Sequence, residues 1–221
     1  TYLIIMTNLN PENGPGKALI DARLLAVIVI DELEAAIPLA ESLLAGGVSA
    51  MELTLRTPVA IKAASQIREA VPEMMVGIGT VLSTGQVDEV LAANASFAVS
   101  PGVNPTVIRH ASAAGLPFGP GVMTPTDVDM ALQEDCRLLK FFPAESSGGL
   151  GHLKNISAPY SHLGLKFIPL GGIDLGNLST YLDNELIGAV GGSWIAPRNL
   201  VRDRNWKQIE SNAREARTIA G

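Results

Sequence analysis

A lysine stands inside an otherwise apolar run at Arg137-Leu138-Leu139-Lys140-Phe141-Phe142-Pro143. Lysine is almost never buried without a partner or a purpose. Taking an ammonium out of water favours loss of its proton, and the free amine is then a nucleophile toward a carbonyl carbon. A strand-borne lysine of this kind is what Schiff-base chemistry needs. A lysine that merely reaches from a strand end into solvent is the other reading, and the run alone leaves both open. A second constellation is Met51-Glu52-Leu53-Thr54-Leu55-Arg56-Thr57. Side chains alternate along a strand, so Glu52 and Thr54 face the same way, and Arg56 joins them if the strand reaches that far. This brings a carboxylate and a guanidinium to one strand mouth, where they could serve chemistry. A structural ion pair accounts for the same residues.

Glycines mark four further places: Gly77-Ile78-Gly79-Thr80, Ser100-Pro101-Gly102, Gly171-Gly172-Ile173 and Gly191-Gly192-Ser193-Trp194. Glycine lets a backbone approach another group closely. Paired glycines after late strands of a barrel suit phosphate binding through backbone N–H groups, and ordinary tight turns suit them too. His110, His152 and His162 have no metal-like spacing, with His110 in a helical pattern and the other two flanking a loop region. Cys136 has no cysteine partner for a disulfide or a zinc cluster. Neither a metal nor a cofactor is expected.

These residues need a scaffold, and the chain has a rhythm that supplies one. Short apolar, β-prone runs begin near Leu24, Val48, Met75, Ser96, Pro117, Arg137, Leu165 and Ile187. Amphipathic stretches lie between them, with start signals at Asp31, Thr57-Pro58, Thr84, Asn104-Pro105, Thr124-Pro125-Thr126-Asp127 and Asp174. A last helix is expected over about 206–219. Strands alternating with helices argue for a parallel sheet with right-handed crossovers. Eight such beats match a (β/α)₈ TIM barrel, and a doubly wound open sheet is the competing architecture. Residues 1–18 read as an N-terminal lead-in, loose over 7–18, and residues 19–221 as one barrel domain. Met6 reads as a natural start.

Composition sets the outer limits. The 221 residues are 47% hydrophobic and 17% charged, which excludes a disordered chain. A net charge of −6 without a basic run speaks against nucleic acid as a partner. No apolar run approaches the ~20 residues that span a bilayer, so no membrane partner is expected. A single cysteine suits a reducing cytoplasm.

Glu52-Leu53-Thr54-Leu55-Arg56-Thr57, Gly77-Ile78-Gly79-Thr80-Val81-Leu82, Ser100-Pro101-Gly102, Lys140-Phe141-Phe142-Pro143-Ala144-Glu145, Gly171-Gly172-Ile173 and Gly191-Gly192-Ser193-Trp194 together resemble the 2-keto-3-deoxy-6-phosphogluconate (KDPG) aldolase / 4-hydroxy-2-oxoglutarate (KHG) aldolase family. The match runs in order from about Leu25 to the C-terminus. The resemblance implies a class I aldolase on a TIM barrel, assembled as a homotrimer and acting on a small 2-oxo acid. Lys140 is then the Schiff-base lysine and Glu52 the general acid/base. Arg56 and Thr80 hold the substrate carboxylate, Pro101 and Phe142 line the pocket, and Gly171, Gly172 and Ser193 contact phosphate. The implied reactions cleave 2-dehydro-3-deoxy-6-phosphogluconate to pyruvate and glyceraldehyde 3-phosphate, or 4-hydroxy-2-oxoglutarate to pyruvate and glyoxylate. One departure stands out: the family commonly has Pro-Thr-Gly-Gly-Ile where this chain has Pro169-Leu170-Gly171-Gly172-Ile173. Leu170 removes a hydroxyl near the distal end of the substrate, which bears on substrate choice and C4 stereochemistry. Two other classes stay in play: a sugar-phosphate isomerase or epimerase with Glu52 as base, and a non-catalytic barrel that binds a keto acid or phosphate.

Overall fold

The computed structural model describes residues 8–221, so Met6 lies outside the described residues. Each of the eight apolar runs contains a strand. The first four give β1 (Leu24–Ile28), β2 (Ala50–Thr54), β3 (Met75–Gly79) and β4 (Phe97–Val99). The fifth divides into β5 (Phe118–Gly119) and β6 (Gly121–Val122). Then come β7 (Leu138–Phe141), β8 (Lys166–Pro169) and β9 (Val190–Gly192). The division falls at Pro120, which has no N–H to give a ladder.

All pairings are parallel. One sheet has six strands in the order β5-β4-β3-β2-β1-β9, and the other has three in the order β6-β7-β8. Neighbours in space are neighbours in sequence, and the first and last strands pair through Leu24↔Val190 and Ala26↔Gly192. The order shows none of the reversal that defines a doubly wound sheet. The fifth segment leads from one sheet into the other, where Lys140 N donates to Pro120 O. An isolated parallel bridge, Phe167↔Ile187, links the far side of the smaller sheet to the segment before β9. The architecture is thus an α/β fold with a curled six-stranded parallel sheet and a companion of three strands.

The helices are α1 (Gly14–Ala22), α2 (Ala36–Ala45), α3 (Ala60–Ala70), α4 (Thr84–Ala92), α5 (Pro105–Ala113), α6 (Pro125–Gln133), α7 (Gly149–Ser157), α8 (Leu178–Leu182), α9 (Arg198–Arg202) and α10 (Trp206–Ala220). No helix of the described residues is long and apolar enough to cross a membrane. Asn104 caps α5 by accepting from the N–H groups of Thr106 and Val107. Thr124 and Asp127 form a reciprocal capping box on α6. Asp31 has a different task from the helix start expected of it. Its carboxylate takes two hydrogen bonds from Arg198, at 2.8 and 2.6 Å, and pins α9 across the top of β1.

Two further expectations change. The stretch 8–18 is built into the fold rather than loose. Leu9 is buried and α1 starts at Gly14, with Pro15 in its first turn. A Cβ at Gly16 would lie 2.1 Å from Asn10 O, so glycine there lets the turn fold back on the helix. The region between Lys140 and β8 also carries a full helix, α7, whose Gly-rich start hides it from a capping search. His152 lies on that helix, where its Nε2 donates to Met123 O at 2.8 Å and its ring stacks on Phe141.

The core has two parts. Outward-facing residues such as Met51, Leu53, Val76, Ile78, Leu139 and Phe141 pack under the helices. Inward-facing residues, including Leu25, Ala50, Phe97, Leu138 and Ile168, pack against Leu9 and Leu19 at the amino-terminal ends of the strands. Above that second cluster, toward the carboxyl ends, the interior turns polar.

Candidate active site

Alternation along β2 and β7 decides what points inward. All five residues of β2 are buried, with Met51 and Leu53 under the helices and Glu52 and Thr54 turned to the interior. All four residues of β7 are buried too, and Lys140 shares the inward side with Leu138. Thr54 Oγ1 donates to Ile28 O at 3.1 Å, which ties the upper end of β2 to β1. Lys140 Nζ donates to Glu52 Oε1 at 3.0 Å and to Oε2 at 3.3 Å. The side chains are 8% and 1% exposed, so an amine and a carboxylate from strands 88 residues apart meet out of water. Burying two charges costs more than an ordinary surface pair recovers, so a fold keeps such a pair only with good geometry. The Phe142 ring adds a face 5.4 Å from Nζ.

The glycines of β3 explain how the carboxylate fits. A Cβ on Gly79 would sit 1.8 Å from Glu52 Oε1, and a Cβ on Gly77 would sit 2.2 Å from the Phe97 ring. Thr80 follows with φ 64, a left-handed conformation that is uncommon for a β-branched residue. Such strain gathers where a side chain is held for a task. At the other wall, Gly171 and Gly172 have φ 100 and 81, which favour glycine. Their turn is braced from behind: Ala144 N donates to Leu170 O and Glu145 N to Gly171 O. Glu145 accepts a short hydrogen bond from the Tyr181 hydroxyl. Burial, with that bond behind it, pushes the Tyr181 phenol above its usual range. The backbone of the Lys-Phe-Phe-Pro-Ala-Glu segment therefore supports the turn, and its carboxylate ties the segment to Tyr181.

One cavity of about 220 Å³ brings the expected residues together: Lys140, Glu52, Arg56, Thr80, Pro101, Phe142, Gly171, Gly172 and Ser193 all line it. The Lys140–Glu52 pair sits at its base, and Arg56, Pro101, Gly172 and Ser193 sit at its exposed rim. β2 ends at Thr54, yet Arg56 still reaches the cavity from the turn beyond it, with its N–H on Thr54 O. Val27, Thr54, Leu170, Ile173 and Gly192 complete the lining. Val27 carries no signal in the sequence, because an apolar residue facing a cavity looks the same as one facing a core. His110 pairs with Asp88 on the outside, and among the described residues no group of three His, Cys, Asp or Glu is placed to hold a metal. Cys136 is buried, which pushes its thiol up to about 12. An amine beside a proton acceptor, below backbone N–H groups and a guanidinium that has no side-chain bond among the described residues, is an arrangement able to form an imine with a carbonyl compound that carries an anionic end.

A model of the family described as KDPG and KHG aldolase matches residues 16–212. The KHG/KDPG aldolase of Escherichia coli (strain K12) is 40% identical over 190 residues, which cover 86% of this chain and 88% of that protein. The 2-dehydro-3-deoxy-phosphogluconate aldolase of Dickeya dadantii (strain 3937) is 41% identical over 195 residues, or 88% of this chain and 90% of its own. Among solved structures, a KDPG aldolase from Legionella pneumophila holds pyruvate captured at low pH as a covalent carbinolamine intermediate. It is 39% identical, superposes with a TM-score of 0.87, and the match covers 93% of this chain and 98% of that one.

Proposed function

The chain belongs to the KDPG and KHG aldolase family, and from that premise we propose that Lys140 forms the Schiff base and Glu52 moves the protons. The protein is a carbon–carbon lyase, an aldolase that works through a lysine imine. The observation that carries the assignment of residues is the amine of Lys140 held 3.0 Å from the Glu52 carboxylate at the base of a cavity rimmed by Arg56.

The geometry suits the following sequence. Lys140 passes a proton to Glu52 and attacks the C2 ketone of a 2-oxo-3-deoxy acid, giving a carbinolamine. Loss of water, helped by the proton now on Glu52, gives an iminium ion. The positive nitrogen draws the C3–C4 bonding pair as Glu52 takes the C4 hydroxyl proton, so an aldehyde departs and an enamine stays on the lysine. Protonation at C3 and hydrolysis release pyruvate and restore the amine. Arg56, which makes no side-chain bond among the described residues, pairs with the C1 carboxylate beside Thr80. Pro101 and Phe142 flank the reacting carbons, and the backbone at Gly171 and Gly172, together with the Ser193 hydroxyl, receives the distal phosphate. Leu170, buried in the wall below those glycines, offers that end no hydroxyl.

The same reading takes the two sheets as one eight-stranded barrel, with the fifth strand shared at Pro120 and the Phe167↔Ile187 bridge on the opposite side. It also takes the described residues as one unit, the assembly as a homotrimer by family resemblance, and the cytoplasm as its place. Light scattering on a sizing column checks the trimer. The substrate is tested by comparing kcat/KM for 2-dehydro-3-deoxy-6-phosphogluconate and 4-hydroxy-2-oxoglutarate. The phosphorylated acid should be preferred, and Ser193→Ala should erode that preference. An unchanged ratio in Ser193→Ala removes the phosphate role from Ser193.

A further inference from the structure

Beneath the Glu52–Lys140 pair lies a second, much smaller cavity of about 10 Å³. Glu52 and Lys140 form its roof, Leu9 and Leu138 are among the side chains below, and Ile168 and Leu170 border it from the side. Space of that size is at the lower limit of what one water needs, ~10–15 Å³, and carbon walls give such a water few partners. Leu9 is the unusual member. It belongs to no strand, yet its N–H donates to Phe118 O at 3.2 Å and its carbonyl accepts from Leu138 N at 3.2 Å. It therefore stands as a single rung between β5 and β7, at the level where the fifth strand leaves one sheet for the other. Its side chain is 1% exposed, and a Cβ on Gly119 would come within 2.9 Å of Leu9 Cδ1. Glycine at 119 thus keeps the place that Leu9 fills.

We propose that Leu9, from the segment ahead of the first strand, is a positioning residue for the reaction: it is the floor that closes the Glu52–Lys140 pair to water from below and keeps it in register. The inference rests on the roles assigned to those two residues above. A buried ion pair is strong only while water is kept out, because a higher local dielectric weakens the attraction that holds it. Truncating Leu9 enlarges the cavity directly below the pair. Water can then reach Glu52 and Nζ from underneath, and both side chains gain room to shift. Substrate meets the pair from above, where Arg56 and Ser193 are untouched, so binding should survive while the chemical step slows.

The test is Leu9→Ala, with turnover counted per active site by borohydride trapping of pyruvate on Lys140. Per-site kcat should fall about tenfold with KM little changed, since small misplacements of reacting groups are felt strongly in the chemical step. The rate of trapping should fall with it, and Leu9→Met, of similar volume, should restore both. Leu19→Ala is the control. Leu19 lies in the same apolar cluster but does not line the small cavity. It should lower Tm and leave per-site kcat unaltered. Should Leu9→Ala not fold, Leu9→Val gives the same pattern with a smaller loss. Per-site kcat at the wild-type value in a folded Leu9 variant overturns the proposal, as does an equal loss in Leu19→Ala. If pyruvate fails to label Lys140 in the wild type, it is the aldolase assignment of that lysine that fails instead.

Discussion

The amino-terminal and carboxyl-terminal ends of the same strands bury opposite kinds of side chain, and in β2 and β7 the change takes two residues. Ala50 lies in the apolar cluster and Glu52 in the candidate-site cavity; Leu138 lies in the cluster and Lys140 in the cavity. β3 shows the same contrast through its gaps. Gly77 leaves room for the Phe97 ring and Gly79 for the Glu52 carboxylate. One repeat of the pleat thus separates a layer held by packing from a layer held by a buried ion pair. The lower layer needs only volume, and the upper needs partners at fixed distances.

Substitutions can break that contrast. Lys140→Ala should have the largest effect. It removes the proposed nucleophile, so kcat should drop by on the order of 10³-fold or more in a coupled assay for pyruvate. It also leaves Glu52 as a buried charge without its cation, so Tm should fall as well. The paired change Lys140→Met with Glu52→Gln should recover the Tm while staying inactive. That recovery would show the upper layer to be kept for chemistry at a cost in stability.

The two glycines of β3 sharpen the comparison. In Gly79→Ala the new methyl displaces the Glu52 carboxylate, and kcat should fall by about 10²-fold because a group moved by an ångström loses its alignment. In Gly77→Ala the methyl meets the Phe97 ring, and overpacking should cost about 1–3 kcal/mol in denaturant melts. Turnover per folded molecule should hold in that variant. Equal losses of activity from both substitutions would erase the distinction between the layers.

Smaller effects belong to the outer surface. Arg198 holds the Asp31 carboxyl below its usual range, through a hydrogen bond first and charge second. A carboxyl whose folded pKa is depressed adds stability above its unfolded value, and that part is lost as pH falls through the folded one. In Asp31→Asn the loss of Tm below about pH 4 should be slightly shallower than in wild type, because one such carboxyl is gone. The pair is largely exposed, so the difference should shrink in added salt. The smallest effect is at Cys136. With its thiol pushed up to about 12 by burial, it should stay unlabelled by iodoacetamide at pH 8 until the protein unfolds.

Residues whose function depends on their own strand were readable from the chain. Lys140 stands out as a charge in an apolar run, and the alternation of Glu52 with Thr54 foretells a shared face. Gly77 and Gly79 announce a close approach without saying what approaches. Where the partner is remote in sequence, reading fails. Leu9 looks like one apolar residue in a polar stretch, because the groups that make it a rung, at Phe118 and Leu138, come more than 100 residues later. Asp31 looks like a helix start because Arg198 is 167 residues away. The helix at Gly149–Ser157 was hidden by glycines at its start and by the lack of a capping side chain. Pro120 stood in plain view inside the fifth run. Its consequence, a strand divided between two sheets, depends on which neighbours each half finds.

The central claim is that the lysine of the upper layer becomes covalently bound to substrate. The most direct measurement is borohydride reduction of the protein in the presence of pyruvate, followed by peptide mass mapping. The expected result is one pyruvyl adduct, on Lys140, absent from Lys140→Ala and slowed in Gly79→Ala. An active preparation that carries no adduct, or carries it on another lysine, would contradict the claim.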